Sequence, residues 1–109
     1  MQKAYRIRKN GQFHYVFRKG KSMGTHLLSL VYVRAGKLQV GFAVNKKVGH
    51  AVVRNRARRV IRAAYAEVYP ALRGGYDIVF VARYRTAGCK SGEIALIMRK
   101  HLAALGVLP

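Results

Sequence analysis

Acidic residues are nearly missing from this chain: among 109 residues only Glu67, Asp77 and Glu93 carry negative charge. A protein nuclease usually needs clustered carboxylates to hold metal ions or to act as acid and base. Here they stand ten and sixteen positions apart, and each has an ordinary structural task. Glu67 falls late in an expected helix, Asp77 opens an expected strand, and Glu93 follows Ser91 where it favours a helix N-terminus. Cysteine is also scarce. With Cys89 alone, an internal disulfide is excluded, and so is a zinc site built on paired cysteines. The four histidines, His14, His26, His50 and His101, lack the HExxH spacing of a metalloprotease. Tryptophan is absent, which removes a residue favoured on the apolar side of membrane-surface helices. No stretch approaches the roughly 20 apolar residues that span a bilayer. Residues 1–20 are basic and lack the apolar segment of a secretory signal. A cytoplasmic protein with no membrane partner and no catalytic or metal-ligating residue of its own is expected.

What is present is positive charge. Twenty-two Lys and Arg give a formal net charge of +19, a field that opposes compactness unless a polyanion neutralises it. Nucleic acid is the polyanion that fits, and neutralising its backbone makes binding steeply salt-dependent. Apolar residues make up 51% of the chain, enough for one modest core without metals or disulfides. The length suits a single domain over residues 1–109. A DNA-reading protein is disfavoured, because no paired recognition-helix motif or dimer seam is evident.

Residues 1–9 are basic without clear periodicity and read as an extended or mobile arm. Asn10 caps a short helix to about Arg18, with Phe13, Val16 and Phe17 at helical spacing and Gly20 ending it. Lys21 to Thr25 is a connection with room for a short strand. Residues 26–34 (HLLSLVYVR) are rich in strand formers, and Ala35-Gly36 turns the chain. Residues 37–44 (KLQVGFAV) then return as the second arm of a hairpin, with Leu38, Val40, Phe42 and Val44 alternating onto the core face. A helix from about Val52 to Tyr69 ends at Pro70. Residues 76–83 (YDIVFVAR) read as a buried strand. Ser91 caps a last helix with Ile94, Ile97, Met98, Leu102 and Leu105 along one side and Gly106 after it. The result is one α+β domain.

The middle helix carries the functional signal. With Arg54 at zero and 100° per residue, Arg58 lies at about 40°, Arg62 at about 80°, Asn55 at about 100°, Arg59 near 140° and Arg56 near 200°. Val53, Ala57, Val60, Ile61, Ala64 and Val68 fall between about 240° and 340°. A solvated helix face normally mixes signs and uses i,i+4 acid–base pairs. This arc has five arginines and no acid. Arg54, Arg58 and Arg62 repel one another at i,i+4 spacing, a cost that a polyanion along the face would reverse. The planar guanidinium suits bidentate phosphate recognition. Lys46 and Lys47 precede the helix, Gly49 permits a tight connection, and the helix N-terminal amides add to anion binding.

Residues 40–65, VGFAVNKKVGHAVVRNRARRVIRAAY, closely resemble the signature of the bacterial ribonuclease P protein subunit, whose RNR motif matches Arg54-Asn55-Arg56. The likeness covers nearly the whole chain. Arg8-Lys9-Asn10 with Phe13 and Phe17 is similar to the family's opening helix, and residues 76–83 are similar to its last strand.

The resemblance implies a single-domain αβββαβα sandwich with a mixed sheet and a left-handed βαβ crossover, like the second domain of ribosomal protein S5. It implies a non-catalytic subunit: the RNA carries the chemistry and binds the magnesium, releasing the 5′ leader of precursor tRNA. The protein binds that catalytic RNA and the leader, as a monomer in a 1:1 complex with RNA. Lys46, Lys47, Arg54, Asn55, Arg56, Arg58, Arg59 and Arg62 would contact RNA. The leader would lie in a cleft between the first helix and the sheet, with bases stacking on Phe13 and Phe17. By spacing alone those two phenylalanines read as core; the resemblance gives them a shared role, one edge packed and one exposed. A third aromatic position falls at Val31 or, one residue on, at Tyr32, which alternation sends to opposite faces. Asn45 and His50 stand where Ser and Asn are commoner in the family. A structural RNA-binding protein without a role in cleavage fits the composition equally well.

Overall fold

The computed structural model of the chain describes residues 7, 10–68 and 75–106. The elements run α1 (Asn10–Lys19), β1 (Lys21–Gly24), β2 (Leu28–Arg34), β3 (Gln39–Ala43), α2 (Ala51–Val68), β4 (Tyr76–Ala82) and α3 (Ser91–Leu105). This is the αβββαβα order expected. Single 3-10 turns stand at Lys46–Val48 and Thr86–Gly88.

The strand order is β1-β2-β4-β3, with β2 antiparallel and β3 parallel to β4. The sheet is therefore mixed. Ile78, Val79 and Phe80 are consecutive and all fully buried, so β4 needs cover on both faces and neighbours on both sides. That requirement overturns the expected hairpin of residues 26–34 with 37–44: β4 inserts between the two strands, and β2 makes its hairpin with β1 instead. The Ala35-Gly36 turn spans the start of β4, where the Ala35 N–H donates to the Gly75 carbonyl at 3.0 Å.

The sheet separates two apolar layers. On one face Leu28, Leu30, Val40, Ile78, Phe80 and Ala82 meet the buried sides of α2 and α3, and Leu38, Phe42 and Val44 join them. The alternation read in residues 38–44 is therefore correct. On the opposite face Val16 of α1 packs on Val79, with Phe13, Val31, Val33, Ala43 and Val81 around them. Each fully buried aliphatic side chain contributes about 1.5–3 kcal/mol; α2 and α3 supply Ile61, Val68, Ile94, Met98 and Leu102, and the strands supply Leu28, Leu30, Val40, Ile78 and Val79.

Several ends differ from the expected ones by a residue or two. β2 starts at Leu28 because Thr25 closes a turn, its Oγ1 accepting from Leu27 N at 3.1 Å. Ser91 is the first helical residue of α3 rather than its cap. The Lys90 N–H donates to Glu93 Oε1 at 3.1 Å, so the glutamate reaching back sets the start. Gly106, at φ 80°, closes the helix as expected. Tyr69 and Pro70 lie outside the described residues. So does most of the basic arm, except Ile7, which is buried and donates its N–H to Val40 O at 2.9 Å.

Asp77 sits on the α1 side of β4, opposite Val33 and Gln39. Its Oδ1 is buried without a hydrogen-bond partner. Burial raises its pKa above the ordinary 3.8, and Lys37 only partly offsets this. A carboxyl whose pKa is raised by folding favours the fold when protonated, and this contribution is lost as pH rises through the folded pKa. Asp77→Asn removes that loss. Its melting temperature minus that of the wild type should therefore grow between about pH 3 and pH 7; a difference constant with pH would show that Asp77 is not strained by ionisation.

Candidate nucleic-acid interface

Helix α2 buries Ala57, Ile61, Ala64 and Val68, with Val53 and Val60 partly covered, as its periodicity implies. It also buries Tyr65, at 2% exposure. At about 20° on the wheel this ring falls between Arg54 and Arg58, and spacing of aliphatic residues alone does not reveal it. Tyr65 lies edge-on to Phe42 at 5.5 Å and 5.9 Å from Phe80. The apolar stripe is thus wider than expected, and the arginine arc is not uniform. Asn55, Arg56, Arg59 and Arg62 are exposed, while Arg54 and Arg58 are half-buried shoulders beside Tyr65. Arg58 Nη1 donates to Asn55 Oδ1 at 3.2 Å, which orients both groups outward from one turn. Arg54 Nε is buried without a partner, an unmade bond of the kind that ordinarily costs about 1–3 kcal/mol.

Lys46 and Lys47 are exposed on the turn that follows β3. Asn45 caps that turn, its Oδ1 accepting from Lys47 N at 2.9 Å; serine can make the same kind of cap. Gly49, at φ 147°, links the turn to α2, and an added Cβ would lie 3.1 Å from Val53. The two lysines are therefore held by a capped turn at the end of the sheet where the parallel strands finish.

The expected leader residues divide between the two faces. Phe13 is half-buried, and its ring lies over Gly41, where an added Cβ would come within 2.8 Å of two ring atoms. Gly41 thus opens the seat for this ring. Phe17 is 46% exposed. The pair is split into one packed and one open ring. Val31 is on this same face. Tyr32 is not: it packs with the α2–α3 core and meets Tyr76 edge-on at 6.0 Å. The strand alternation removes Tyr32 from the α1 face, whose aromatic side chains among the expected leader residues are then Phe17 and Phe13. The face that carries Phe13, Phe17 and Val31 and the arginine arc consequently lie on opposite sides of the sheet.

Among the described residues no three His, Cys, Asp or Glu side chains come together to hold a metal ion. None of the described helices is long and apolar enough to cross a membrane.

Comparison with known proteins agrees with this architecture. The family model described as Ribonuclease P matches residues 1–106. The ribonuclease P protein component of Oceanobacillus iheyensis is 38% identical over 112 residues, covering 99% of this chain and 92% of its own length. That of Clostridium kluyveri is 43% identical over 94 residues, covering 83% of this chain and 84% of its own. The solved Staphylococcus aureus RNase P protein superposes with a TM-score of 0.73 at 26% identity, covering 98% of this chain and all of that one. With a family match over residues 1–106 and relatives 38–43% identical over most of its length, the chain belongs to the ribonuclease P protein family.

Proposed function

We propose that this protein is the non-catalytic subunit of the ribonuclease P ribonucleoprotein, binding the catalytic RNA and the 5′ leader of precursor tRNA during 5′-end maturation. The observation that carries the reading is the arc of five arginines without an acid on α2, in a chain of net charge +19. Arg56, Arg59, Arg62 and Asn55 offer exposed forks and an amide, Arg54 and Arg58 flank them, and Lys46 and Lys47 extend the positive surface. These groups suit a phosphate backbone. Magnesium belongs to the RNA subunit, where it supplies the hydrolytic chemistry. The protein works in the cytoplasm as a monomer paired with one RNA.

The leader occupies the α1 side of the sheet. Phe17 offers an open ring on which a base can stack, worth about 1–3 kcal/mol. Phe13 and Val31 form the apolar floor beneath it, and Gly41 keeps the floor low. Separating the two surfaces by the sheet lets one domain hold structured RNA and a single strand at once.

Removing one phosphate partner should lower the slope of log affinity against log salt by about one. Arg58→Ala and Arg62→Ala, titrated with ribonuclease P RNA at several salt concentrations, should each show this; unchanged slopes in both would remove the arc as the RNA contact. Phe17→Ala should weaken binding of a leader-bearing precursor roughly 5- to 150-fold while leaving mature tRNA unaffected. The central test is cleavage of precursor tRNA by a bacterial ribonuclease P RNA at low magnesium. Addition of the protein should stimulate it, and stimulation should fade as the leader is shortened. Tight RNA binding without stimulation would instead favour a structural RNA-binding protein.

A further inference from the structure

The far flank of α2, away from Arg54 and Arg58, borders a groove that the arginine arc does not explain. Its volume is about 570 Å³, and it is lined by Leu27, Val48, His50, Val53, Arg56, Tyr84 and Arg85, among others. That volume is within the ~300–1,000 Å³ of small-ligand sites. Tyr84 is 77% exposed, the highest value among the large apolar side chains identified as exposed. The core makes little use of this ring.

Its backbone is nonetheless fixed. Thr86 is fully buried; its hydroxyl donates to Leu27 O at 2.6 Å and accepts from Arg83 N at 2.8 Å. Cys89 Sγ donates to Arg85 O at 3.4 Å. One buried hydroxyl thus ties the turn after β4 to the connection between β1 and β2. The turn presents Arg83, Tyr84 and Arg85 in succession, all exposed. No acid lines the groove, while Arg56, Arg85 and His50 do. An aromatic platform with apolar walls and guanidinium groups at the rim has the chemistry that receives an unstacked base with its phosphates.

We propose that this groove seats an unstacked nucleotide of the bound catalytic RNA, stacked on Tyr84 with its phosphates against Arg56 and Arg85. Arg56 belongs both to the groove and to the arc, so the same RNA that lies along α2 can reach the groove. The leader cleft is on the opposite side of the sheet and does not share these residues. The assignment rests on the RNA-binding reading above and adds a base contact to a surface otherwise made for backbone.

The absence of tryptophan provides a direct probe. Tyr84→Trp creates the only indole in the chain, and its emission should be quenched when ribonuclease P RNA is added. Tyr84→Ala should weaken affinity for that RNA roughly 5- to 150-fold, leave the salt slope unchanged because no phosphate partner is lost, and melt as the wild type does. Tyr84→Phe should bind nearly as the wild type. Salt-dependent binding of wild type and Tyr84→Ala with equal affinity would overturn the groove while leaving the arginine arc intact. Quenching by a leader oligonucleotide but not by the catalytic RNA would overturn the assignment of the occupant. Failure of the wild type to bind the RNA at all would overturn the RNA-binding reading itself and this inference with it.

Discussion

The burial of β4 on both faces and along both edges is the constraint from which the rest of the molecule follows. Ile78, Val79 and Phe80 leave no face of this strand for solvent, so it takes the interior of the sheet between β2 and β3. Pairing parallel to β3 then demands a crossover long enough to return the chain to the same end. Helix α2 is that crossover. Its apolar side, widened by Tyr65, is drawn onto the sheet through the Phe42–Tyr65–Phe80 cluster. The opposite side must face outward, and every arginine of the arc is on it or on its shoulder. The placement of the arginine face is thus a consequence of how the central strand is covered.

A second constraint is that charge contributes little to holding this fold together. With three acids against 22 basic side chains, neutralisation of most cations within the chain is arithmetically impossible. The acids that exist are used locally: Glu93 sets the start of α3, and Asp77 is buried beside β2 and β3 at a cost. Glu67 is tied in through its backbone carbonyl, which accepts from Arg99 Nη2 at 3.3 Å. The fold is therefore carried by apolar layers, and the cations are left available for a partner outside the chain.

The sequence made the periodic parts of this structure legible. The 3.6-residue repeat located α2 and α3 within a residue or two, and alternation placed Leu38, Val40, Phe42 and Val44 on the core face. It did not reveal partner choice. Residues 26–34 and 37–44 are adjacent in sequence, joined by a turn, and individually patterned like a hairpin; only the arrival of β4, some thirty-five residues later, separates them. Local pattern carries no information on that competition, whereas the family resemblance, with its parallel crossover, does. Tyr65 was invisible for another reason: an aromatic with a polar tip at the edge of an apolar stripe can sit on either side of the boundary. The exposed ring of Tyr84 lay in a segment without periodicity, where sequence assigns a loop and nothing more. In the site itself the arginine arc was readable from charge alone, but the division of Phe13 from Phe17 needed Gly41, a residue whose value is the space it leaves.

The geometry also links stability to binding. Principal extents of 36 × 28 × 24 Å place the basic side chains among the described residues within a few Debye lengths of one another at physiological salt, where that length is about 8 Å. Self-repulsion is then distributed over the whole domain and weakens the compact state relative to the expanded chain. A polyanion laid along α2 relieves it and binds the folded arrangement, in which the forks share one face, better than an unfolded chain that scatters them. Preferential binding of the folded state stabilises it by mass action. The effect acts most directly where the helix carries its own penalties, at the i,i+4 column of Arg54, Arg58 and Arg62. On the proposed reading, function and folding are coupled through one helix: the charge pattern that suits α2 to a polyanion also makes the folded state more stable with that polyanion in place.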